Sequence, residues 1–252
     1  MDWNAGERGY ELRDWESYPE YCAYPQYTGK IYPRKDWVEL IELQKKNMTS
    51  PLHVHKYNKV PVLNQGKYGY CWMYGTVACI LNRYAAQGID PVPNLNAHAT
   101  AAMGKGYRNQ GGFGIEATKY VEKYGIPTFD VWPEFSNFKP LQQEKKVKQS
   151  CAKHKIVTFE ETPRNSFDEV MSALIDPIDP SPCTLAFNWW RHLVGGLRGK
   201  YRGTGRNIEW GLSFVNSWKE SWGSKGYGTV WNDKAKPFEA IVVRSVKAVK
   251  EN

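Results

Sequence analysis

A cysteine at position 71 stands where a thiol could act as a nucleophile. The surrounding stretch, residues 61–72, reads PVLNQGKYGYCW, so that Cys71 opens a predicted helix and Gln65 precedes it. A helix N-terminus favours the thiolate because its unpaired N–H groups carry partial positive charge. A thiolate that attacks a carbonyl also needs a donor facing the oxygen that becomes negative, and the amide of Gln65 can be that donor. The stretch therefore predicts nucleophilic chemistry on a carbonyl.

A histidine is the residue type that would take the proton of Cys71, and the chain has five of them. Only His192 precedes an apolar strand, residues 193–197, and the strand after that one ends in Asn216. An asparagine can accept a hydrogen bond from an imidazole and hold its orientation, as the third member of a triad does. We therefore predict that His192 is the base and Asn216 its orienting partner. The other histidines are His53, His55, His98 and His154.

Three blocks of the sequence resemble the papain-like cysteine peptidases. The first is Gln65, five residues and then Cys71-Trp72. The second, residues 216–228, reads NSWKESWGSKGYG and follows the family's Asn-Ser-Trp-Gly, Trp-Gly and Gly-Tyr pattern without a gap. The third is NQGGF at residues 109–113. The blocks fall within about residues 60–230, and His192 comes slightly earlier than the family's usual interval of about 130–150 residues after the cysteine.

The resemblance implies a role for each matching residue. Cys71, His192 and Asn216 would form the catalytic triad, and Gln65 with the backbone N–H of Cys71 would bind the oxyanion. The glycines of the third block would leave their backbone free to pair with an extended polypeptide substrate. The resemblance therefore implies hydrolysis of peptide, isopeptide or amide bonds, without a metal or a cofactor. The substrate-binding residues that it implies are Gly111, Gly112, Phe113 and Trp218.

The resemblance and the order of the predicted elements both indicate an α+β fold with two lobes. Helices are predicted over about residues 71–87, 115–124 and 141–151, and a short one after Ser166 ends at residue 175. Strands are predicted at residues 156–159, 183–187, 193–197, 208–215, 227–231 and 240–245. We therefore expect a helical lobe over about residues 60–152 and an antiparallel sheet or barrel over about 153–252, with the active-site cleft between them.

Residues 1–55 form an irregular N-terminal arm that precedes the predicted papain-like domain, residues 56–252. The arm is crowded with tyrosine, tryptophan, proline and charge, and only residues 36–46 carry a helical pattern. One hypothesis is that it resembles the prosegment that often lies across the cleft of papain-like enzymes as an inhibitor. The other is that it docks onto a partner, such as a large protein assembly.

Two departures from the family pattern lie just before His192. Only residues 188–191 separate the preceding strand from the histidine, where the family usually has a long glycine-rich excursion, so we expect a more open cleft. Arg191 replaces the usual small or acidic neighbour. We expect this cation to lower the pKa of the imidazole and to weaken a thiolate–imidazolium pair.

Cysteine usage indicates free thiols in a reducing compartment. The number of cysteines is odd and no Cys-x-x-Cys pair occurs, which argues against a zinc site and a disulfide framework. No apolar run is long enough to span a bilayer, and residues 1–4 show no secretory signal. We therefore expect a cytoplasmic or particle-associated protein with no membrane contact. The cysteines are Cys22, Cys71, Cys79, Cys151 and Cys183.

The net charge of +8 makes acidic partners worth considering. Basic residues concentrate in residues 145–155 and 198–206, but no helix-turn-helix, zinc-knuckle or ribonucleoprotein pattern accompanies them. A solvated helix face and a hairpin account for both stretches, so nucleic acid is not the expected partner. Two hypotheses of function follow. The first is a papain-like cysteine peptidase with a polypeptide substrate; the alternative is a structural or interaction protein on the same fold, such as a surface component of a phage or virus particle.

Overall fold

The computed structural model describes residues 1–14, 25–133 and 135–247. Its helices are α1 (Trp37–Asn47), α2 (Pro51–Tyr57), α3 (Cys71–Ala86), α4 (Ala97–Gly104), α5 (Gly114–Tyr124), α6 (Lys145–Lys153) and α7 (Asp168–Ile175). Its strands are β1 (Ile156–Glu161), β2 (Cys183–Phe187), β3 (His192–Arg202), β4 (Glu209–Val215), β5 (Tyr227–Trp231) and β6 (Glu239–Val246).

The six strands form one antiparallel sheet in the order β1-β6-β2-β3-β4-β5. Consecutive strands from β2 to β5 are neighbours, whereas β6 crosses back to lie between β1 and β2. The predicted α+β fold, with a helical lobe followed by a sheet lobe, is confirmed. The strand pairing also brings the start of β3 beside the end of β4, the two places from which the predicted base and its partner come.

Helix α3 runs through the centre of the molecule. Its sequence pattern predicts one apolar face, but every residue from Cys71 to Ala85 is buried. The reason is that α3 packs against helices α2, α4 and α5 as well as strands β2, β3 and β6. Its N-terminus is thereby fixed against both lobes, which is what a precisely placed nucleophile needs.

A glycine allows α3 to approach β3 closely. A Cβ atom on Gly75 would lie 2.5 Å from Leu193 Cδ2 and 3.0 Å from the backbone carbon of Val194. Both of these residues follow His192 on β3, so the contact helps to set the distance between Cys71 and the predicted base. Backbone atoms cannot move aside as a flexible side chain can, and Gly75 is therefore a tight packing position.

Replacing Gly75 by alanine should destabilise the protein by up to about 2 kcal/mol, because overpacking a filled core costs about 1–3 kcal/mol and the helix propensity of alanine offsets about 1 kcal/mol of this cost. The measurement is the urea-unfolding midpoint. Gly104→Ala is the matched control, since its Cβ would lie at an ordinary 3.5 Å from Tyr120. A Gly75→Ala chain as stable as the control would show that the contact is loose.

Helix α1 belongs to the core of the sheet lobe, although the sequence assigns it to the arm. Trp37 is fully buried and its indole N–H donates to Tyr32 O at 2.7 Å. Gln44 of the same helix donates to Leu174 O of α7 at 2.9 Å. The side chains of α1 and α7 share one apolar cluster with strands β2, β3, β4 and β6. The part of the arm from about residue 32 onward is therefore built into the body.

Several element bounds differ from the sequence prediction. Helices α2 and α4 were not predicted, and α6 begins at Lys145 rather than near residue 141, after a 3₁₀ turn at Lys139–Gln143. Helix α7 begins at Asp168, and Ser166 Oγ accepts from Glu169 N at a long 3.4 Å. In the described ranges, no helix combines the length and apolar character of a bilayer span, and no three His, Cys, Asp or Glu side chains are grouped as metal ligands.

Candidate active site

Cys71 is the first residue of α3, and its side chain is completely buried. Tyr70 precedes it without a side-chain cap on the helix, so the N–H groups of the first turn face the region of the sulfur. The backbone of Leu193, the residue that follows His192, is among the groups that hydrogen-bond the sulfur and lower its pKa. The structure thus places the predicted nucleophile beside the start of strand β3.

His192 and Asn216 form a buried pair. His192 Nε2 lies 2.7 Å from Asn216 Oδ1, and the same oxygen accepts from Ser217 N at 2.8 Å. Because that oxygen is an acceptor in both contacts, Nε2 carries the proton and Nδ1 keeps its lone pair. Nδ1 has no hydrogen-bond partner among the described residues. The pair therefore has the orientation that a general base requires, with its free nitrogen available for a thiol proton.

Tryptophans enclose the imidazole on two sides. The ring centroid of His192 lies 4.5 Å from that of Trp218 and 4.6 Å from that of Trp190. Trp222 packs against both indoles, at 5.8 Å and 5.9 Å. Excluding water strengthens the hydrogen bond to Asn216, because a low local dielectric favours it. Trp190 was not predicted to take part, although its position two residues before His192 on a short turn is a signal that the sequence contains.

Gln65 is held by the segment that follows Asn216. Its backbone N–H donates to Ser217 O at 2.9 Å, and its side-chain oxygen accepts from the hydroxyl of Ser217. Because that oxygen is occupied, the amide nitrogen acts as the donor of the side chain, and it donates to Glu7 O at 2.9 Å and to Tyr68 O at 2.8 Å. The contact between Gln65 and Ser217 joins the two lobes at the point where the oxyanion donor was predicted.

The N-terminal residues of the chain occupy this site. Residues 2–13, which we call the cleft segment, lie across Cys71, and the N–H of Gly9 donates to Cys71 Sγ at 3.2 Å. Glu7 O accepts from Gln65 and, at 3.1 Å, from the indole N–H of Trp218. Two further indoles donate to the segment: Trp190 to Trp3 O at 2.6 Å and Trp222 to Asp2 O at 2.8 Å.

On the other side of Cys71, the segment pairs with the glycine block. Gly112 N donates to Gly9 O at 2.8 Å, and Glu11 N donates to Gly112 O at 3.0 Å, so Tyr10 and Gly112 form a parallel bridge. A Cβ atom on Gly111 would lie 2.5 Å from Gly9 O, which explains why a glycine is needed there. Gly112 thus uses its backbone to bind an extended polypeptide, here the chain's own.

The backbone of the cleft segment is presented with the wrong polarity for attack. An acyl-transfer site needs a carbonyl carbon at the sulfur and the oxygen of the same carbonyl at the oxyanion donors. Here the sulfur faces the N–H of Gly9, while the carbonyl at Gln65 belongs to Glu7, two residues away. The segment therefore fills the site without offering a bond that Cys71 could cleave.

Two glycines allow the cleft segment to lie directly against the walls of the site. A Cβ atom on Gly6 would lie 2.7 Å from the ring of Trp218, and one on Gly9 would overlap the carbonyl of Gly69. Neither the indole face nor the backbone carbonyl can yield, so a side chain at either position would lift the segment out of the cleft. Nothing in the sequence pattern alone identified these two residues.

Burial keeps both reacting groups neutral in this arrangement. Desolvation raises the pKa of Cys71 to about 11, against the opposing effect of backbone N–H donors that include Leu193 and Gly9. Desolvation also lowers the pKa of His192 to about 3, opposed by Asn216 and reinforced by the charge of Arg8. No hydrogen bond joins Cys71 to His192 within the described ranges, so the thiolate–imidazolium pair is not formed.

The expected effect of Arg191 on the imidazole is not observed. The cation that acts on His192 is Arg8 of the cleft segment, whereas the side chain of Arg191 is exposed. Arg191 has a positive φ of 53°, which turns its side chain outward, and its carbonyl accepts from Tyr10 N at 3.3 Å. This arginine therefore binds the segment through its backbone.

The two remaining predicted site residues are Phe113 and Trp218. Phe113 is buried in the helical-lobe core just after Gly112, and Trp218 covers His192 while donating to Glu7. A buried group that was not predicted adjoins them: Arg13 contacts Glu161 and lies 3.8 Å from Glu239. The sequence shows Glu161 and Glu239 only as charges at strand ends, so no local signal marks them as a cluster.

Comparison with solved structures gives the same architecture. The chain superposes on xylellain, a cysteine protease from Xylella fastidiosa, with a TM-score of 0.60 and 14% identity, covering 98% of this chain and 97% of that one. It superposes on procathepsin B S9 from Trypanosoma congolense with a TM-score of 0.63 and 13% identity, covering 96% of this chain and 87% of that one. For bromelain from Ananas comosus in complex with the E64 inhibitor, the TM-score is 0.57 and the identity 20%, and the match covers 75% of this chain and 95% of that one.

These matches show that the chain has the papain-like fold, as the sequence resemblance predicts. Identities of 13–20% establish the fold alone. No protein-family model matches the chain, and no curated protein sequence matches it.

Proposed function

We propose that the chain is a papain-like cysteine peptidase that rests in a closed state, with its own cleft segment in the active site. The observation that carries the proposal is the buried His192–Asn216 pair, whose unpartnered Nδ1 belongs to the same site as Cys71 and Gln65. A neutral imidazole oriented in this way can act as a base, but it makes no hydrogen bond to Cys71 while the N–H of Gly9 donates to the sulfur.

The chemistry follows once the segment leaves. His192 takes the proton of Cys71, and the thiolate attacks the carbonyl carbon of the substrate, whose oxygen is bound by Gln65 Nε2 and the N–H of Cys71. The carbon–nitrogen bond then breaks, and His192 gives its proton to the leaving amine, which leaves a thioester on Cys71. A water molecule, deprotonated by His192, hydrolyses the thioester and restores the thiol.

Two properties of the similar structures support this proposal. The bromelain structure contains the inhibitor E64, and several others are described as proenzymes, including a procathepsin B and a procathepsin L. Two of the proenzyme matches cover 95–96% of this chain, two others cover 78–79% of it, and bromelain covers 75% of it.

The test uses the full-length chain with Gly6→Val and Gly9→Val, which we call the open variant. Valine at these positions would collide with Trp218 and with the carbonyl of Gly69, so the cleft segment should leave the site. We expect the open variant to digest an unfolded protein such as reduced casein and to be labelled at Cys71 by an epoxide probe. Both effects should disappear when Cys71→Ala is added.

The control is Cys79→Ala in the open variant, because Cys79 is a buried thiol of the same helix outside the cleft. Its loss should leave digestion and labelling unchanged. An open variant that binds and cleaves no polypeptide, and whose Cys71 is no more reactive than Cys79, would contradict the peptidase proposal.

A further inference from the structure

Two basic residues of β3 lie on the face of the sheet that is turned away from α7. Gly199, which stands between Arg198 and Lys200, faces α7, because a Cβ atom on it would overlap the side chain of Met171. Successive residues of a strand point to opposite faces, so Arg198 and Lys200 both lie on the other face. They belong to the part of β3 that pairs with β4 and no longer with β2.

Helix α2 contributes a lysine to the same face. Lys56 Nζ lies 4.8 Å from the centre of the Tyr227 ring on β5. Tyr227 is two residues before Thr229, which is opposite Ser213 in the sheet. Ser213 is in turn opposite Arg198. Residues that lie opposite each other in an antiparallel pair have their side chains on one face, so Lys56 and Arg198 share this face.

The basic groups on this face are close enough to act on one another. Burial lowers the pKa of Lys200, and the charges of Arg198 and Lys56 lower it further. Burial also lowers the pKa of His53 on α2, and the same two charges add to the effect. Holding like charges together in a partly desolvated place costs free energy in the folded state. We call Arg198, Lys200, Lys56 and His53 the basic cluster.

No carboxylate neutralises the basic cluster. Its arginine and its two lysines form no ion pair with any residue in the described ranges. Burial lowers the pKa of Arg198 and the charge of Glu42 on α1 raises it, but Glu42 is exposed and its carboxylate contacts Lys45 at 3.4 Å. The positive charge of the basic cluster therefore lacks a counterion from the described part of the chain.

Arg198 also has unused donor capacity at a buried atom. Its Nε is buried and has no hydrogen-bond partner among the described residues. Basic residues at the edge of a sheet commonly keep other chains from pairing with it, but that role needs only solvated side chains. A buried N–H without an acceptor costs free energy, so a bound acceptor would stabilise the cluster. The interpretation of residues 198–206 as a solvated hairpin therefore does not hold for Arg198.

Two hydroxyls beside Arg198 can add a further hydrogen bond to a ligand. Ser213 Oγ and Thr229 Oγ1 lie 2.9 Å apart on the same face. In such a pair one hydroxyl donates to the other, which leaves the hydrogen of the second free to donate elsewhere. The face thus combines three permanent cations with a neutral donor.

We infer that the basic cluster binds a dianionic phosphate group, either inorganic phosphate or the phosphate monoester of a small molecule. The planar guanidinium of Arg198 presents parallel N–H donors that match two oxygens of a phosphate. The ammonium groups of Lys200 and Lys56 supply the charge that balances the dianion. A phosphate monoester carries a charge of about −1.5 to −2 at pH 7, so its binding removes most of the repulsion within the cluster.

A dianionic phosphate fits the basic cluster better than other anions. A carboxylate has a single charge and two oxygens, so it leaves most of the positive charge of the cluster unbalanced. A phosphodiester has the tetrahedral shape but also carries only one charge. The order of affinity should therefore be inorganic phosphate or a phosphate monoester first, with a phosphodiester and a carboxylate well behind.

The basic cluster is separate from the cleft. Arg198 follows His192 by six residues on β3, which at about 3.3 Å per residue is a distance of roughly 20 Å. Helix α2, which carries Lys56, packs against both β3 and α3. The inference does not depend on the peptidase proposal, and it can be tested on the unmodified chain.

The test titrates the full-length chain with inorganic phosphate, glycerol 3-phosphate, dimethyl phosphate and acetate. Isothermal titration at about pH 7.5 and a constant ionic strength of about 0.15 M keeps phosphate largely dianionic and screening equal. Inorganic phosphate should bind saturably, with a Kd at least about tenfold lower than those of acetate and dimethyl phosphate. Equal affinity for glycerol 3-phosphate would identify a monoester as the ligand, and binding of inorganic phosphate alone would identify the free anion.

Arg198→Gln should weaken phosphate binding at least about tenfold, because it removes the charge-assisted pair of hydrogen bonds. Lys56→Gln changes an exposed side chain and should weaken binding by about threefold or more, because one attractive charge is lost. Arg202→Gln is the matched control. It makes the same change four residues along the strand, where the guanidinium already pairs with Glu209. It should leave the Kd within about twofold of the parent value.

A second measurement shows whether the variants are folded. By mass action, phosphate should raise the urea-unfolding midpoint of the parent and of Arg202→Gln, and it should have little effect on Arg198→Gln. The absence of saturable phosphate binding, or acetate binding as tightly as phosphate, would overturn the inference. Equal losses of affinity in the two arginine variants, or equal rises of their midpoints with phosphate, would do the same.

Discussion

Replacing Gly6 and Gly9 by valine should raise the rate at which iodoacetamide alkylates Cys71 by at least ~100-fold at pH 7. In the closed chain, a pKa of about 11 leaves about one thiolate in 10⁴, whereas an ordinary cysteine with a pKa of about 8.5 has about one in 30. The N–H of Gly9 also covers the sulfur. Displacing the segment removes both obstacles, and His192 then becomes available to ionise the thiol.

The alkylation rate of Cys71 should depend on pH differently in the closed chain and in the open variant. Since burial raises the pKa of Cys71, the closed chain should react faster as pH rises and show no plateau at neutral pH. The open variant should instead show a plateau that extends into acid, because a thiolate–imidazolium pair persists there. Quantitative mass spectrometry of the Cys71 peptide distinguishes it from the other buried thiols. Gly104→Ala is the control, and identical profiles for the closed and open chains would contradict the closed state.

In the open variant, His192→Ala should reduce kcat/KM for a peptide substrate by about 10⁴-fold, the loss typical of removing a triad base. Asn216→Ala should cost less, because the imidazole remains but loses the bond that fixes its tautomer. Initial rates over a range of substrate concentration give both numbers.

The matched control for this series is His55→Ala. His55 is also completely buried, its pKa is also lowered to about 3 by burial, and it is hydrogen-bonded to the hydroxyl of Tyr227 at 2.9 Å outside the cleft. Its removal should affect stability and leave kcat/KM of the folded enzyme near that of the parent. A comparable loss of activity in both histidine variants would mean that His192 has a structural role only.

The elements and site residues that could be predicted from the sequence lie in segments whose local residue pattern is sufficient to identify them. Helix α3 begins at Cys71 as predicted, and strands β2 and β5 have the predicted bounds, because apolar runs between turn residues are strong local signals. The fold followed from such elements together with the family blocks. Helix α2 shows a signal that could have been used: Ser50 accepts from His53 N and Pro51 is the first helical residue.

Other features depend on contacts between distant parts of the chain. Helix α4 consists mainly of small residues, and it is buried on all sides from Ala97 to Ala102, so its sequence lacks a helical period. The closeness of Glu161 and Glu239 arises from the crossing of β6 back to β1, which no local pattern encodes. The position of the cleft segment depends on the close contact between Gly9 and the backbone of Gly69, which lies 60 residues further along the chain.

The cleft segment belongs to the same polypeptide as the site that it fills. A ligand tethered to its own receptor acts at an effective concentration that is commonly in the millimolar range and that does not change on dilution. A competing polypeptide must overcome that local excess, so the closed chain should tolerate abundant substrate. A single break in the chain between residues 14 and 25 would end this advantage, because the released fragment could diffuse away and the block would then weaken with each dilution.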